Sequence, residues 1–235
     1  MNYVQGFDSR FWDGIVPTGA NFRFFLGKAT ETYGAGAHYT LFNHLLPQQF
    51  EGARNAGWAV GAWHYHIQDA NPLVSAREYH RFMRPLGTDF PPILDVEDEA
   101  ATGAHIWATV QAIEDKFGER CMVYTARWCW DDSNYLPPGH PIFARDLWES
   151  DPPPDTLQPG FWGPEVIRQK VLDTSVSGFR SISGTSLANV DLNEADEAWY
   201  TTKVYPRFVV TPPTTLPIVT VTYPVGGVEI KLEST

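Results

Sequence analysis

The sequence predicts an α/β fold, an irregular TIM-like (β/α) barrel with a short C-terminal Pro-rich linker and a β-hairpin tail. Short apolar runs recur along the chain, and segments of helical character separate most of them. Strands that alternate with helices predict βαβ units and a mostly parallel sheet, and about eight such strands suit a closed barrel. The composition then changes near residue 200, where prolines and threonines accumulate. With 235 residues, 43% of them hydrophobic, the chain can bury a sizeable core.

The apolar runs are the predicted strands, and the helices between the last three of them are weak or missing. The Pro-rich stretch from Asp151 to Pro159 is the clearest of these gaps, so the barrel is expected to be irregular. The runs are Tyr3 to Phe7, Phe22 to Leu26, Ala59 to Trp63, Pro92 to Val96, Cys121 to Tyr124, Pro141 to Ala144, Val166 to Leu172 and Val190 to Leu192.

Three segments between the runs predict amphipathic helices. One extends from Leu45 to Ala56 and is closed by Gly57, because glycine readily ends a helix. A second extends from Ser75 to Met83, with Ser75 as its N-cap. The third extends from Gly103 to Phe117 and stops before another glycine.

The chain is predicted to divide into a catalytic barrel, residues 1–200, and a linker with a hairpin tail, residues 201–235. Val204 to Pro217 contains four prolines and several threonines, which predicts an extended linker. Ile218 to Tyr223 and Val228 to Leu232 alternate apolar and polar residues around two glycines, a hairpin signal. The tail is either a strap on the barrel or the first piece of a further module.

Composition and charge exclude several classes of protein. The formal net charge of −11 repels phosphate backbones, so no nucleic-acid partner is expected. Since no stretch approaches roughly 20 apolar residues, no membrane insertion is expected. The first residues lack the basic and apolar regions of a secretory signal, so we expect synthesis in the cytoplasm. Cys121 and Cys129 are too few for a disulfide framework or a zinc site, so both are expected to be free thiols.

The strongest chemical signal is Pro91 to Glu99, which reads Pro-Pro-Ile-Leu-Asp-Val-Glu-Asp-Glu. If Ile93 to Glu97 forms a strand, Asp95 and Glu97 point into the barrel roughly 7 Å apart. They then lie at the C-terminal end of a strand, where barrel enzymes keep their active sites. Two like charges in one concavity raise one pKa, which gives the protonated acid that glycoside hydrolysis requires. Alternatively, residues 97–99 begin a solvated loop and cap the next helix.

Other predicted strands bring further acids to the same rim. The first strand ends in Asp8, and the last apolar run contains Asp191. Either residue alone could be a helix cap or an ion-pair partner. Four acids at recurring strand ends favour a common site made of Asp8, Asp95, Glu97 and Asp191.

These motifs, in their order, resemble the family 25 glycoside hydrolases, lysozymes of the Chalaropsis type that act as N-acetylmuramidases. The resemblance covers about residues 3 to 200. The matching pieces are Gly6-Phe7-Asp8-Ser9 with Trp12 and Gly14, Phe25 through Lys28-Ala29-Thr30-Glu31, Gly57 through Trp63-His64-Tyr65, Leu94-Asp95-Val96-Glu97, Val123-Tyr124-Thr125 and Val190-Asp191-Leu192-Asn193.

The resemblance implies an irregular barrel that hydrolyses the β-1,4 bond between N-acetylmuramic acid and N-acetylglucosamine in peptidoglycan. The missing secretory signal suggests a phage endolysin or a virion-associated lysin. Glu97 would be the general acid/base. Asp95 would either stabilise the positive charge of the transition state or orient the substrate's acetamido group. Asp8 and Asp191 would shape the site's charge and hold substrate or water. The implied substrate-binding residues are Lys28, Trp63, Tyr65, Tyr124 and Gln169; no metal or organic cofactor is expected, and the chain is expected to be a monomer.

The sequence departs from the family pattern at two places. Arg168-Gln169-Lys170 stands where the family has Trp-Gln-Tyr, so we expect an altered aromatic surface near one subsite. Trp63 replaces the usual Tyr of the third strand. The altered Arg168-Gln169-Lys170 and the Pro-rich tail keep open a non-catalytic glycan-binding or phage structural module. A chitinase-like hydrolase is disfavoured, because Pro91 to Leu94 lacks the further acids that such enzymes place before the glutamate.

Two weaker signals have structural alternatives. His64 and His66 could share a face as metal ligands, but barrel histidines more often form hydrogen bonds with neighbours. The stretch from Arg127 to Asp132 could form a rim that stacks on sugars, or its aromatics could fill the barrel mouth.

Overall fold

A computed structural model of the protein describes most of the chain, including all the residues that the sequence assigns to the site. It describes residues 2–10, 15–16, 22–34, 38–126, 130, 136–150, 162, 165–175, 180–181, 189–210, 219–222 and 229–232. The strands in chain order are β1 (Tyr3–Ser9), β2 (Ile15–Val16), β3 (Phe24–Tyr33), β4 (Tyr39–Phe42), β5 (Ala59–Tyr65), β6 (Ile93–Val96), β7 (Met122–Ala126), β8 (Leu147–Ser150), β9 (Glu165–Ser175), β10 (Arg180–Ser181), β11 (Asn189–Asp196), β12 (Val219–Thr222) and β13 (Glu229–Leu232).

Eight of these strands form a closed barrel, which confirms the predicted fold. The order around the ring is β1-β11-β9-β8-β7-β6-β5-β3, and β3 pairs again with β1. All neighbours from β1 through β3 to β9 are parallel, whereas β11 is antiparallel to both β9 and β1. The start of β11 therefore lies on the same rim as the ends of the parallel strands.

The strand β3 is longer than the barrel wall requires. Its first residues, from Phe24 to Gly27, pair with the end of β1. Its last four residues, Thr30 to Tyr33, pair antiparallel with β4. The β3–β4 hairpin therefore continues beyond the rim formed by the other strands.

Three helices cover the parallel half of the barrel: α1 (Leu46–Asn55), α2 (Pro72–Met83) and α3 (Gly103–Phe117). The predictions for α1 and α3 are confirmed, and the glycines after them have positive φ angles. The predicted start of α2 at Ser75 is wrong. Asn71 accepts hydrogen bonds from the backbone N–H groups of residues 73 and 74, and Pro72 follows as the first helical residue. Ser75 is buried inside the helix.

The apolar side chains form two clusters, one on each side of the barrel wall. The interior cluster includes Phe24, Ile93 and Trp148, and the outer cluster packs Leu94 and Val96 with the helices. Alternate residues of β6 thus face opposite sides, as the sequence predicts.

Two predicted segments differ in the structure. Pro141–Ala144 is a 3-10 helix rather than a strand, because the side chain of His140 accepts a hydrogen bond from the Ile142 N–H and Pro141 begins the turn. The strand follows as β8. The chain after residue 200 is not extended at first: Tyr200–Val204 is a π-helix and Tyr205–Val210 is an α-helix.

The packed part of the chain continues past the predicted boundary at residue 200, since Tyr200 and Val204 are buried in the interior cluster. The predicted hairpin is confirmed, because β12 and β13 pair antiparallel. The Pro-rich loop, residues 151–159, lies outside the described residues. In the part of the chain that the structure describes, no helix has both the length and the apolar character needed to cross a membrane.

Replacement of Tyr79 by Phe is expected to lower the free energy of unfolding by about 1–3 kcal/mol. The Tyr79 hydroxyl donates to the Ala62 carbonyl at 2.5 Å and accepts from the Ile93 N–H at 3.2 Å, so it joins β5 to the start of β6. Urea unfolding measures the effect, with Tyr205→Phe, at a residue that is 41% exposed, as the matched control. Equal unfolding midpoints for the two variants would contradict this role.

Candidate active site

The four predicted acids lie on one rim of the barrel. Asp8 is the penultimate residue of β1, Asp95 lies in β6, and Glu97 follows directly after β6. Asp191 is the third residue of β11, opposite Asp8 in the β1–β11 register. The sequence predicts Asp191 at the end of a strand, but the structure places it near the start of an antiparallel one. Both arrangements bring it to the same rim.

The side-chain amide of Gln169, in β9, connects the acids. Its Nε2 group donates to Asp8 Oδ1 and to Asp191 Oδ2, each at 3.2 Å. Its Oε1 atom accepts from the Tyr124 hydroxyl at 2.9 Å and from the Ser150 hydroxyl at 2.8 Å. The amide is buried and uses both donors and both acceptor positions, so its orientation is fixed by its partners.

Asn193 gives Asp8 a second amide donor. Asn193 Nδ2 donates to Asp8 Oδ1 at 2.7 Å, and Asn193 Oδ1 accepts from the Trp148 indole N–H at 2.8 Å. The Trp148 ring in turn packs against Tyr124, with ring centroids 4.5 Å apart. The buried Asp8 carboxylate is therefore held from two strands, β9 and β11.

Glu97 joins the same network through Tyr124. The Tyr124 hydroxyl lies 3.4 Å from Glu97 Oε1, so its single proton can go either to Glu97 or to Gln169. Glu97 is more accessible than the buried Asp8 and Asp95. A partly exposed acid beside a buried hydroxyl can exchange a proton with a bound substrate.

Asp95 is the acid with the fewest protein partners. It is buried, and its Oδ1 atom accepts no hydrogen bond from the residues that the structure describes. Its neighbours across the sheet are Tyr65 in β5 and Tyr124 in β7. A buried carboxylate oxygen without a partner is costly, so it is available to an incoming donor or positive charge.

Burial and mutual repulsion raise the pKa of three of these acids. Burial raises the pKa of Asp95 well above its ordinary value of 3.8, and the charge on Glu97 raises it further. Burial and the charge on Asp191 also raise the pKa of Asp8, although the hydrogen bonds from Asn193 and Gln169 lower it. Burial also raises the pKa of Glu97 above 4.5, and the Tyr124 hydroxyl and Lys28 oppose this increase. The rim therefore favours retained protons.

Lys28 and Tyr65, two of the predicted substrate-binding residues, lie together beside the acids. Lys28 Nζ lies 2.5 Å from Glu31 Oε2 and 4.2 Å from the centroid of the Tyr65 ring. The Lys28 charge also lowers the pKa values of Asp95 and Glu97. Glu31 belongs to the same Lys-Ala-Thr-Glu motif as Lys28 but is not among the residues predicted for the site.

Trp63 lies in the barrel interior, one layer below Asp95, where its ring meets Trp148 edge-on at 5.6 Å. It is only 3% exposed, and a contact between Trp63 and substrate stays a prediction. Trp148 and Ser150 were missed because the strand was predicted at Pro141 to Ala144, whereas β8 begins at Leu147. Asn193 was missed although it follows Asp191 at the i+2 spacing that puts two residues on one face.

Arg168 directly precedes Gln169 in β9, and side chains alternate along a strand, so Arg168 faces away from Gln169. Arg168 forms an ion pair with Glu165, three residues earlier on the same strand. The expected change of the aromatic surface near one subsite stays a prediction.

The histidines have the hydrogen-bonded role that the sequence favoured. His64 Nδ1 lies 2.8 Å from Thr30 Oγ1, and His66 Nε2 lies 3.3 Å from His105 Nδ1. Burial lowers the pKa of both His64 and His66 to about 3, so both are neutral. Among the described residues, no group of three or more His, Cys, Asp or Glu side chains could hold a metal ion.

Of the predicted aromatic rim, the structure describes Trp130 alone. It is buried against Phe143 and Trp162, with ring centroids 5.9 and 4.7 Å away, so it fills space in the outer cluster. Residues 127–129, 131 and 132, including Cys129, lie outside the described residues. Cys121 is buried and free, as predicted.

Three solved structures show the same fold. The chain is similar to a family 25 glycosyl hydrolase from Bacillus anthracis, with 19% identity over 86% of this chain and 93% of that one, and a TM-score of 0.66. It is also similar to a bacterial lysozyme from Streptomyces coelicolor, with 16% identity over 88% of this chain and 99% of that one, and a TM-score of 0.66. The third is the catalytic domain of an endolysin from bacteriophage P40 of Listeria monocytogenes, with 16% identity over 86% of this chain and 97% of that one, and a TM-score of 0.63.

Sequence comparison gives the family directly. A comparison with curated proteins gives no match. Residues 7–148, more than half of the chain, match the sequence profile of glycosyl hydrolases family 25. The resemblance predicted from the motifs is thereby confirmed, and the chain belongs to the glycosyl hydrolases of family 25.

Proposed function

We propose that this glycoside hydrolase is a lysozyme that cleaves the β-1,4 bond between N-acetylmuramic acid and N-acetylglucosamine in peptidoglycan. The observation that carries the proposal is the rim on which Asp8, Asp95, Glu97 and Asp191 meet. Family membership, together with the likeness to a bacterial lysozyme and a phage endolysin, supports this substrate. The bacterial cell wall is then the place of action.

Glu97 is the proposed general acid. Burial raises its pKa, which favours the protonated form that an acid needs, and its partial exposure lets it reach the glycosidic oxygen. The Tyr124 hydroxyl can then donate to the carboxylate that remains and stabilise its charge, and that carboxylate acts as the base toward water. Tyr124 keeps its own proton, because burial and the nearby charges raise its pKa well above 10.

Asp95 is the proposed partner of Glu97. Its unpartnered Oδ1 atom can stabilise positive charge at the reacting sugar carbon or accept a hydrogen bond from the acetamido group. Asp8 and Asp191 are proposed to bind water or sugar hydroxyls, and Gln169 and Asn193 hold the two carboxylates in position. Lys28 and Tyr65 are the proposed side wall for the glycan.

The glycan strand is the proposed partner, and we propose that the chain acts as a monomer. The net charge of −11 and the acidic rim oppose binding of nucleic acid.

Replacement of Glu97 by Gln is expected to lower the rate of peptidoglycan hydrolysis by at least about a hundredfold, because amides cannot donate the required proton. Mass spectrometry of the soluble products should find fragments that end in reducing N-acetylmuramic acid with the wild type and not with the variant.

Glu99→Gln is the matched control, since Glu99 is exposed two residues further on. Unchanged hydrolysis by Glu97→Gln would contradict its role. Glycan binding by the wild type without any new reducing ends would instead indicate a glycan-binding module, and digestion of chitin alone would indicate a chitinase.

Replacement of Tyr124 by Phe is expected to move the alkaline limb of the kcat/KM profile to higher pH. The Tyr124 hydroxyl lowers the pKa of Glu97, so without it Glu97 holds its proton to higher pH. Tyr205→Phe is the control, because Tyr205 is 41% exposed and lies outside the site. A limb that stays in place or moves to lower pH would argue against Glu97 as the titrating acid.

Replacement of Asp95 by Asn is expected to stabilise the fold at pH 7 while it lowers activity. A carboxyl whose pKa is raised on folding destabilises the native state once pH exceeds its unfolded value, and Asn removes that charge. The stability difference should vanish below about pH 3.8, where both forms are neutral. Thermal unfolding across pH, with exposed Asp115→Asn as the control, measures it. A variant less stable at pH 7 would contradict the electrostatic account.

A further inference from the structure

The β3–β4 hairpin has two different faces. On one face, the Thr32 and Thr40 hydroxyls lie 3.0 Å apart, and the Phe42 ring packs on Phe82 of α2, with centroids 5.4 Å apart. Thr30 on the same face meets the buried His64. This face is therefore turned toward the helices.

The opposite face carries Glu31, Tyr33, Tyr39 and Leu41, because side chains alternate along paired strands. The Tyr33 and Tyr39 rings stack with centroids 5.0 Å apart and an interplanar angle of 11°. Tyr39 is 58% exposed and Leu41 is 39% exposed. We call Tyr33, Tyr39 and Leu41 the aromatic wall.

The aromatic wall is continuous with the carboxylate rim. Glu31 is the cross-strand neighbour of Leu41 and binds Lys28. Glu31 is also paired with Tyr65 in β5, and Tyr65 is paired with Asp95 in β6. One row of paired residues thus leads from Asp95 through Tyr65 and Glu31 to Leu41. Tyr33 lies roughly 7 Å beyond Glu31 along the strand.

We propose that the aromatic wall is a distal glycan subsite, on which a sugar ring outside the cleaved disaccharide stacks against Tyr39. This inference rests on the proposed function. A glycan is the expected occupant because the aromatic wall adjoins the acids at which the glycan would be cleaved. A flat phenol ring suits the apolar face of a pyranose, and its hydroxyl can bind the ring's polar edge. Tyr33 supports the Tyr39 ring from behind, so the platform is preorganised and loses little entropy on binding.

The test measures binding without cleavage, in the Glu97→Gln background. Addition of Tyr39→Ala is expected to weaken binding of long, peptide-free glycan strands about tenfold, as for truncation of an aromatic anchor. Binding of a disaccharide that spans only the acids should be unchanged. Tyr39→Trp should retain the affinity for long strands, because it keeps a flat apolar face.

Tyr3→Ala is the matched control, because Tyr3 is 50% exposed at the opposite end of the barrel, at the start of β1. Equal affinity of the Tyr39→Ala and control proteins for long strands, or an equal loss for the disaccharide, would overturn the subsite. The proposed function fails separately, if wild-type protein binds glycan through Tyr39 and yet releases no reducing ends.

Discussion

Four carboxyl groups meet at one rim and two of them, Asp8 and Asp95, are buried, so charges on them repel each other with little water to offset the repulsion. The Gln169 amide reduces this cost without adding charge. It donates to two carboxylates, and its oxygen is held by two hydroxyls, so every polar position of the side chain is used. A hydroxyl could not reach both Asp8 and Asp191 with one proton, and a glutamate would add a fifth negative charge. The geometry of the site depends on this one neutral group.

The charges that remain are divided between the acids by their surroundings. Asp8 receives two amide donors, whereas Asp95 leaves one oxygen unpartnered beneath the open rim. Glu97 is less buried and contacts a hydroxyl that can donate to it. Lys28 lowers the pKa values of Asp95 and Glu97 together, and is itself held by Glu31. Such a site lowers the stability of the fold, because the repulsion between the acids stays until a substrate binds and interacts with their charges.

The sequence predicts the parallel half of the barrel well, because alternation along β6 and the glycines after α1 and α3 are local signals. It also predicts the four acids, since each occurs in a short motif beside an apolar run. It fails where local rules compete. Asn71 is a better cap than Ser75, so α2 begins earlier, and Pro141 favours a turn over a strand. Gln169 and Asn193 each contact Asp8 across more than 150 positions of sequence, and no local pattern encodes such contacts.

The irregular half of the barrel is what makes those long-range contacts possible. In a regular barrel each new strand runs parallel to the last, after a helix, and offers the rim only its final residues. Here β11 returns antiparallel beside β9, so its first residues lie on the rim and the rest descends along β1. Asp191 and Asn193 then both approach Asp8 from one strand, while Gln169 approaches from the next. Since β11 also closes the ring against β1, the pairing that completes the barrel also brings Asp8 and Asp191 together. A change that breaks the β1–β11 pairing should therefore disrupt the site before it unfolds the parallel half of the barrel. The strands from β3 to β9 keep their hydrogen bonds to each other without that pairing.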